Sequence, residues 1–471
     1  MHLLIWSLFV ACPKPTDSIE DPYAGAPPPT LAELEDKGLA AVERPPETSP
    51  AALVLSGARV MTAAGQVLDP GWIEIEGGRI RAVGEGAPPP GSAQVLDLQG
   101  RVITPGLIDT HSHMGVYPKP NANAHGDGNE ATSPTTGGVW VEHSFWPQDP
   151  SIERAVAGGT TTIQVLPGSA NLIGGRSATL HMVPARGSRA MRFPGAPEGV
   201  KMACGENPKR VYGDGGGPST RMGNLEGQRM AFAKAAEHKR AWEDYQAEAD
   251  AWDGSGAPPP PPARNLELET LVGVLDGEIL VHVHCYRADD MLSFIQLSDE
   301  YGFSIRSFHH ALEAYKIADI LAEREIAVST WADWWGFKLE AYDGIPYNAA
   351  LVQAAGGRTV IHSDSAVDIR RLNQEAAKAW RSAQEAGIPL SEDEVLQWIT
   401  INPAWALGIQ DEVGTLEPGK RADLVIWDGD PFSVYTSAEL VLIDGALLYD
   451  QRQGPQPWSD FELGQALEIR Q

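Results

Sequence analysis

The chain has 471 residues, of which 42% are hydrophobic and 21% are charged, the proportions of an ordinary soluble globular protein. Its formal net charge of −27 at pH 7 repels phosphate backbones, so we expect no nucleic-acid partner. This length exceeds an average domain and suits either two or three domains or one large barrel with additions.

The N-terminal segment predicts export. A short apolar stretch ends in Ala11-Cys12 and resembles a bacterial lipoprotein signal over residues 1–12, with a lipid on Cys12 and a periplasmic or membrane-anchored location. The alternatives are a mis-assigned start or a plain disordered tail, which would leave a cytoplasmic protein. Residues 13–50 are rich in Pro, Ala, Asp and Glu and predict a flexible tether.

The cysteines supply little further information. Besides Cys12 there are only Cys204 and Cys285, and none of the three has CxxC spacing. The sequence therefore predicts neither a disulfide framework nor a cysteine zinc site.

Short alternating strands occur in two separate segments, residues 51–104 and 412–455, and predict one small β domain. Between them, over residues 105–411, buried-looking strands alternate with helical stretches, which indicates βα repetition. A barrel of eight such repeats needs roughly 250 residues, and the middle segment is long enough for one.

The strongest chemical signal is His111-Ser112-His113, which follows a predicted strand. Two histidines at i and i+2 on a strand point to the same side, so both imidazoles can reach one metal ion. A bare HxH pair is weak, and its weight here comes from the flanking sequence PGLID over residues 105–109.

The sequence PGLIDTHSH resembles the first-strand signature of the amidohydrolase superfamily, in particular its imidazolonepropionase-like and dipeptidase-like branches. Further family elements follow in order, namely GGTTT at residues 158–162, Asp364 after the eighth strand, NPA at 402–404 and GTLEPGKRADLV at 414–425. The resemblance implies a distorted TIM (β/α)8 barrel with a small β-sandwich built from both ends of the chain.

The resemblance also implies metal ligands, which we carry over residue by residue. They are His111 and His113 from the first strand, Lys201 from the fourth, His284 from the fifth with His282 as the alternative, His310 from the sixth, and Asp364 from the eighth. On a regular strand, His309 is expected to point away from the site.

Lys201 decides the number of metal ions. In the binuclear branch, a fourth-strand lysine carries CO2 as a carbamate that bridges two metals, which predicts one or two zinc ions and a carboxylated Lys201. The alternative is a solvated or substrate-pairing lysine beside a mononuclear site. Histidine and carboxylate ligands also suit manganese, iron and cobalt.

Substrate-binding candidates lie in loops that follow the predicted strands. Arg176 and Arg371 could grip a substrate carboxylate, because the guanidinium group matches carboxylate geometry. The aromatic residues after the seventh strand predict either packing or a substrate cage: Trp331, Trp334, Trp335 and Tyr342. A helical insertion over residues 224–265 is either a surface excursion or a lid.

The predicted function is hydrolysis of an amide or peptide-like C–N bond in a small molecule by metal-activated water, with Asp364 removing the proton and returning it to the leaving nitrogen. One alternative is a mononuclear deaminase or cyclic-imide hydrolase, although the glutamate that deaminases carry after the fifth-strand histidine is missing here. Another is an inactive envelope binding protein, which the full set of ligand types disfavours. A homo-oligomer is compatible with these features.

Overall fold

The computed structural model describes residues 52–91, 93–121 and 123–454. The predicted lipoprotein signal, the lipid site Cys12 and the tether over residues 13–50 lie outside the described residues and stay predictions. The chain divides into two compact units; the smaller includes Arg240–Ala263, and the larger contains all the predicted metal ligands. No helix among the described residues is long and apolar enough to cross a membrane.

The strands of the described residues are, in chain order, β1 (Leu53–Met61), β2 (Val67–Glu76), β3 (Arg79–Glu85), β4 (Gln94–Asp97), β5 (Val102–Pro105), β6 (Leu107–Ser112), β7 (Thr160–Val165), β8 (Ile173–His181), β9 (Gly199–Ala203), β10 (Leu280–Cys285), β11 (Ile305–His310), β12 (Ala327–Thr330), β13 (Thr359–Ile361), β14 (Leu424–Trp427), β15 (Ala438–Ile443) and β16 (Ala446–Asp450).

The α-helices are α1 (Ser151–Ala157), α2 (Ser188–Met191), α3 (Glu206–Tyr212), α4 (Arg221–Ala251), α5 (Leu266–Leu275), α6 (Ala288–Tyr301), α7 (Ala318–Glu323), α8 (Asn348–Ala354), α9 (Leu372–Glu385), α10 (Glu392–Gln397) and α11 (Ile401–Ala406).

Both ends of the described chain enter one β domain. Its sheet has the strand order β16-β15-β14-β5-β1-β2-β3, with β4 also paired to β1. In β2, Ile73 and Ile75 are buried while Glu74 and Glu76 between and after them are not, which is the alternation expected of a strand with one face on a core. The N-terminal side chains Leu55 and Ile73 share that core with Leu424 and Ile426 from the C-terminal segment. The predicted β domain built from both ends of the chain is confirmed.

The second sheet is the predicted distorted barrel, with β6 to β13 as consecutive neighbours. All neighbouring pairs are parallel except those of β8, which runs antiparallel to β7 and β9. Close packing of β6 on β7 requires Gly106, because a Cβ there would meet the Thr161 hydroxyl at 2.2 Å. The parallel strands place their carboxyl ends at one mouth, where TIM-barrel active sites form.

Hydrogen bonds join the segment that follows β13 to β6 and nearly close the barrel. The Asp364 N–H donates to the carbonyl oxygen of His111 at 3.0 Å. The Ser363 N–H donates to the Asp109 carboxylate at 3.2 Å, and the Ser363 hydroxyl donates to the same carboxylate. Asp109 of the PGLID element thus positions the segment that carries Asp364.

The helical insertion begins earlier than predicted, at Arg221. In its first half, the Asn224 amide donates to the carbonyl of Gly205 at 2.8 Å and the Gln228 amide to that of Ala203 at 2.9 Å. These contacts attach the start of α4 to the end of β9. The lid interpretation of the remaining insertion stays a prediction.

A disulfide joins Cys204 and Cys285, whose Cα atoms are 5.3 Å apart. The spacing of the cysteines gave no basis for predicting this disulfide. They are 81 positions apart in sequence and meet only because β9 and β10 are adjacent parallel strands. Spacing alone carries no signal for such a pair.

Candidate functional site

The two histidines of the HxH element meet at the end of β6. The Nε2 atoms of His111 and His113 are 3.3 Å apart. His113 Nδ1 lies 2.8 Å from the carbonyl oxygen of Leu166. A carbonyl can only accept, so Nδ1 of a neutral His113 carries the hydrogen and its Nε2 presents a lone pair. Burial lowers the pKa of His113 to about 3, with the charge of Lys201 contributing, and so the ring is neutral.

Asp364 approaches the same two nitrogen atoms. Its Oδ1 lies 3.4 Å from His113 Nε2 and 3.7 Å from His111 Nε2. Its backbone has φ 50°, a left-handed conformation that is uncommon for residues other than glycine and that costs free energy. Burial raises the pKa of Asp364 to about 7, an effect that Lys201 opposes and Asp109 reinforces.

Lys201 points into the same cluster from β9. Its Nζ lies 3.3 Å from His111 Nε2, and the residue is only 1% exposed. Burial lowers the pKa of Lys201 to about 7, although the negative charge of Asp364 opposes the shift. Burial thus favours the neutral amine, which is the form that reacts with CO2.

Three more histidines complete the mouth. The ring of His310 lies 4.7 Å from those of His111 and His284 and 5.1 Å from that of His362, measured between centroids. The Nδ1 atoms of His284 and His310 are buried without a hydrogen-bond partner among the described residues. Buried imidazole nitrogens in that state fit a divalent metal, because a lone pair without a partner is costly to bury.

His362 is a candidate that the sequence reasoning missed. One nitrogen of His362 and one of His310 lie within 4.8 Å of each other and of a His111 nitrogen. Burial, followed by the charges of Lys201 and His113, lowers the pKa of His362 to about 3. Its position two residues before Asp364 was the available signal, because i and i+2 share a face of an extended segment.

The expectation that His309 points away from the site is wrong. His309 Nδ1 lies 2.9 Å from His111 Nδ1, and His309 Nε2 lies 3.1 Å from His282 Nδ1. His309 faces inward because it pairs with His284 across β10 and β11, and the φ of 70° at His310 breaks the strand alternation, so that His310 faces the site as well. His282 and His284 also share the inner face of β10, as expected.

The aromatic residues after β12 divide into two groups. Trp331 is buried and stacks on His310 with 4.3 Å between ring centroids, while its indole N–H donates to the carbonyl of Ser363. Trp334 stacks on Trp331, whereas Tyr342 is 73% exposed. Trp331 therefore packs the site, and a substrate role for Tyr342 stays a prediction.

Trp335 and Arg371 line a separate cavity of about 650 Å³ together with Trp334, Asp368 and Lys378. The Arg371 guanidinium is ion-paired to Asp368 at 2.7 Å. The substrate roles predicted for Trp335 and Arg371 stay predictions.

Arg176 is placed differently from the prediction. It pairs with Val200 across β8 and β9, so its side chain shares the outer face with Val200, while the next residue, Lys201, points inward. The guanidinium donates to Thr270 of α5 at 2.9 Å and to Glu198 at 2.9 Å. The structure therefore does not bring Arg176 to the histidine cluster, and its proposed grip on a substrate carboxylate stays a prediction.

Comparisons with known proteins identify the family of the chain. The model of the amidohydrolase family matches residues 277–451. Among solved structures, an amidohydrolase from Thermotoga maritima MSB8 is 34% identical with a TM-score of 0.76, over 84% of this chain and 100% of that one.

Two curated relatives are also similar. The amidohydrolase tasK of Hapsidospora irregularis is 35% identical over 77% of this chain, which spans only 38% of that protein. An imidazolonepropionase of Rhizorhabdus wittichii is 27% identical over 79% of this chain and 92% of its own length. Because the Thermotoga protein matches over its whole length at 34% identity, this chain belongs to the amidohydrolase family and is a hydrolase that acts on C–N bonds.

Proposed function

We propose that the protein is a binuclear metal-dependent hydrolase that cleaves an amide or peptide-like C–N bond in a small molecule. The observation that carries the proposal is the convergence of Asp364 Oδ1 and Lys201 Nζ on His111 Nε2, at 3.7 and 3.3 Å. A carboxylate, an amine and imidazole nitrogens thus meet at the mouth where TIM-barrel active sites form.

The donor set divides between two ions. His111, His113 and Asp364 would hold the first, and His284 and His310 would hold the second through the buried nitrogens described above. Lys201, carboxylated on Nζ, would bridge them, because the carbamate replaces a buried cation with an anion that offers two oxygens. Zinc is the ion that we propose, since nitrogen and oxygen ligands of this kind are common in zinc sites.

Asp364 is the residue that handles the proton. When bound, divalent metal ions polarise the substrate carbonyl and make water acidic enough to attack near neutral pH. Asp364 accepts the proton from the attacking water and returns it to the leaving nitrogen, which is general base and then general acid catalysis. Its side chain is 23% exposed and so remains accessible to a substrate.

Aromatic rings cover the histidine side of the mouth. Tyr286 stacks on His310 with 5.1 Å between centroids and 16° between planes, and Trp331 lies 4.3 Å from the same ring. These rings fix the orientation of His310 and exclude water from it, which strengthens electrostatic interactions within the site.

A second candidate is a mononuclear hydrolase of a cyclic imide. The relative named imidazolonepropionase, aligned over 92% of its length, supports it. In this arrangement Lys201 stays unmodified and one ion is held at the mouth.

Elemental analysis of metal content separates the candidates. We expect two ions per chain in the wild type and at most one in Lys201→Ala. The matched control is Lys338→Ala, since Lys338 also lies at the mouth but is paired with Glu206 and Glu340. The control should keep both ions. One ion in all three proteins would favour the mononuclear candidate, and a folded wild type without metal would overturn the proposal.

The reaction products identify which bond the enzyme cleaves. A screen of dipeptides and N-acyl amino acids should yield an acid and an amine. Ammonia released from amino-heterocycles, with no cleavage of amides, would instead identify a deaminase.

A further inference from the structure

We propose that His309 and His282 are positioning residues, which form a hydrogen-bonded chain of imidazoles beneath the metal centre and hold His111 in the tautomer that leaves Nε2 free for metal. This inference rests on the proposed function, because it takes His111 as a ligand. It gives a role to two buried histidines that the proposed metal sites do not use.

The hydrogen-bonded chain of side chains has four members, namely His111, His309, His282 and Gln164. Its links are His111 Nδ1 to His309 Nδ1 at 2.9 Å, His309 Nε2 to His282 Nδ1 at 3.1 Å, and His282 Nε2 to the Gln164 side-chain amide at 3.0 Å. All four side chains are buried, with at most 2% of each residue exposed. The chain therefore runs from the mouth into the barrel interior, away from water.

The direction of the hydrogen bonds follows from His111. Its Nε2 faces His113, Lys201 and Asp364, so a metal bound there leaves the hydrogen on Nδ1. A neutral imidazole has one donor and one acceptor nitrogen. His111 Nδ1–H therefore donates to His309 Nδ1, and His309 Nε2–H donates in turn to His282 Nδ1. His282 Nε2–H must then donate to Gln164.

The last link fixes the orientation of the Gln164 amide. A donor at His282 Nε2 requires the amide oxygen on that side, and the oxygen and nitrogen of a glutamine amide are interchangeable by a 180° turn. With the oxygen there, the Ser177 hydroxyl at 3.1 Å becomes its second donor. With the nitrogen there, Oε1 is buried without a partner among the described residues. Either orientation leaves one end of the amide unpaired. The direction of the hydrogen bonds along the imidazoles therefore determines which orientation the amide adopts.

The hydrogen-bonded imidazoles also distinguish candidate metal ligands from the histidines that support a ligand. Both ring nitrogens of His309 and both of His282 are used in the links, whereas Nδ1 of His310 and of His284 has no partner among the described residues. Of these four histidines, His284 and His310 are therefore the candidate ligands, whereas His309 supports His111 directly and His282 supports His309. Supporting hydrogen bonds to a ligand histidine fix its ring and raise its basicity, and their loss typically weakens metal binding by 10–100-fold.

Two substitutions at His309 test the chain. His309→Phe keeps an aromatic ring but removes both links, whereas His309→Asn keeps an acceptor near the position of Nδ1. We expect His309→Phe to raise the zinc dissociation constant, measured by competition with a chelator, by roughly 10–100-fold. His309→Asn should recover most of that loss, and His181→Asn, a buried histidine outside the chain, should bind zinc like the wild type.

A measurement on the wild type keeps the test decisive if His309→Phe does not fold. In zinc-loaded protein with 15N-labelled histidine, NMR should show His111 with hydrogen on Nδ1 and His282 with hydrogen on Nε2. The opposite tautomers, or equal zinc affinity in folded His309→Phe and the wild type, would overturn the inference and leave the proposed function standing. A wild type that binds no zinc would overturn both.

Discussion

The barrel mouth and the junction between the barrel and the β domain each gather histidine and aspartate side chains. At the mouth these are His111, His113 and Asp364. At the junction they are His181 from the end of β8 with Asp423 and Asp444, and in both groups the candidate ligand atoms lie within 4.8 Å of one another. Judged by residue type and spacing alone, the two clusters are equally good candidates for a metal site.

Hydrogen bonding distinguishes them. At the junction, His181 Nε2 lies 2.9 Å from Asp423 Oδ2, the Asp444 N–H donates to Asp423 Oδ1 at 2.8 Å, and Arg421 pairs with Asp444 at 2.6 Å. The carboxylates of Asp423 and Asp444 therefore already have hydrogen-bond and ion-pair partners within the protein. At the mouth, imidazole nitrogens face one another and Asp364. A metal site is therefore recognised by lone pairs that the protein leaves without donors, and residue type alone does not identify one.

The largest effect should come from removing the mouth carboxylate. Asp364→Asn cannot accept the proton from water, so we expect kcat/KM to fall by about 10³-fold, within the range of general acid–base contributions. Steady-state kinetics on the first substrate found will measure it. Asp423→Asn is the matched control and should keep its activity per folded molecule; equal losses in the two variants would remove the distinction between the clusters.

Metal removal should also affect the two clusters differently. A ligand held at a free concentration 1,000 times its dissociation constant stabilises a folded protein by about 4 kcal/mol. Chelation should therefore lower the thermal midpoint, and zinc should restore it, in the wild type and in His181→Ala alike. If substitution of His181 abolished the response to zinc, the metal would belong to the junction.

A smaller effect is expected on the stability of the junction. His181→Ala removes the hydrogen bond to Asp423 and the packing of the ring on Phe193, at 4.3 Å between centroids. The free energy of unfolding should fall by about 2–3 kcal/mol, as for a buried hydrogen bond to a charged group, while metal content stays unchanged. Denaturant titration and elemental analysis measure the two quantities, and a loss of metal without a loss of stability would contradict this assignment.

Much of the fold could be predicted from the sequence because its signals are local. The βα alternation, the bracketing strands and the PGLIDTHSH element each lie within a short segment, and the barrel and the β domain were found as predicted. The structure also brings His111, His113, Lys201 and Asp364 together, although their roles as ligands stay predictions.

What could not be predicted depends on backbone geometry or on pairing between distant strands. His309 and the adjacent His310 both face the barrel interior because the left-handed φ at His310 interrupts the strand alternation, and no residue pattern predicts that conformation. The Cys204–Cys285 disulfide depends on strand adjacency, and the outward direction of Arg176 depends on its register against β9. His362 is the exception, because its spacing from Asp364 was visible.

Anomalous diffraction at the zinc absorption edge, from crystals of the zinc-loaded protein, tests the central claim most directly. The account predicts two peaks at the mouth, one about 2.0–2.2 Å from His111 Nε2, His113 Nε2 and an Asp364 oxygen, with none beside His181. A peak at the junction, or a mouth without any peak in protein that carries zinc, would contradict it.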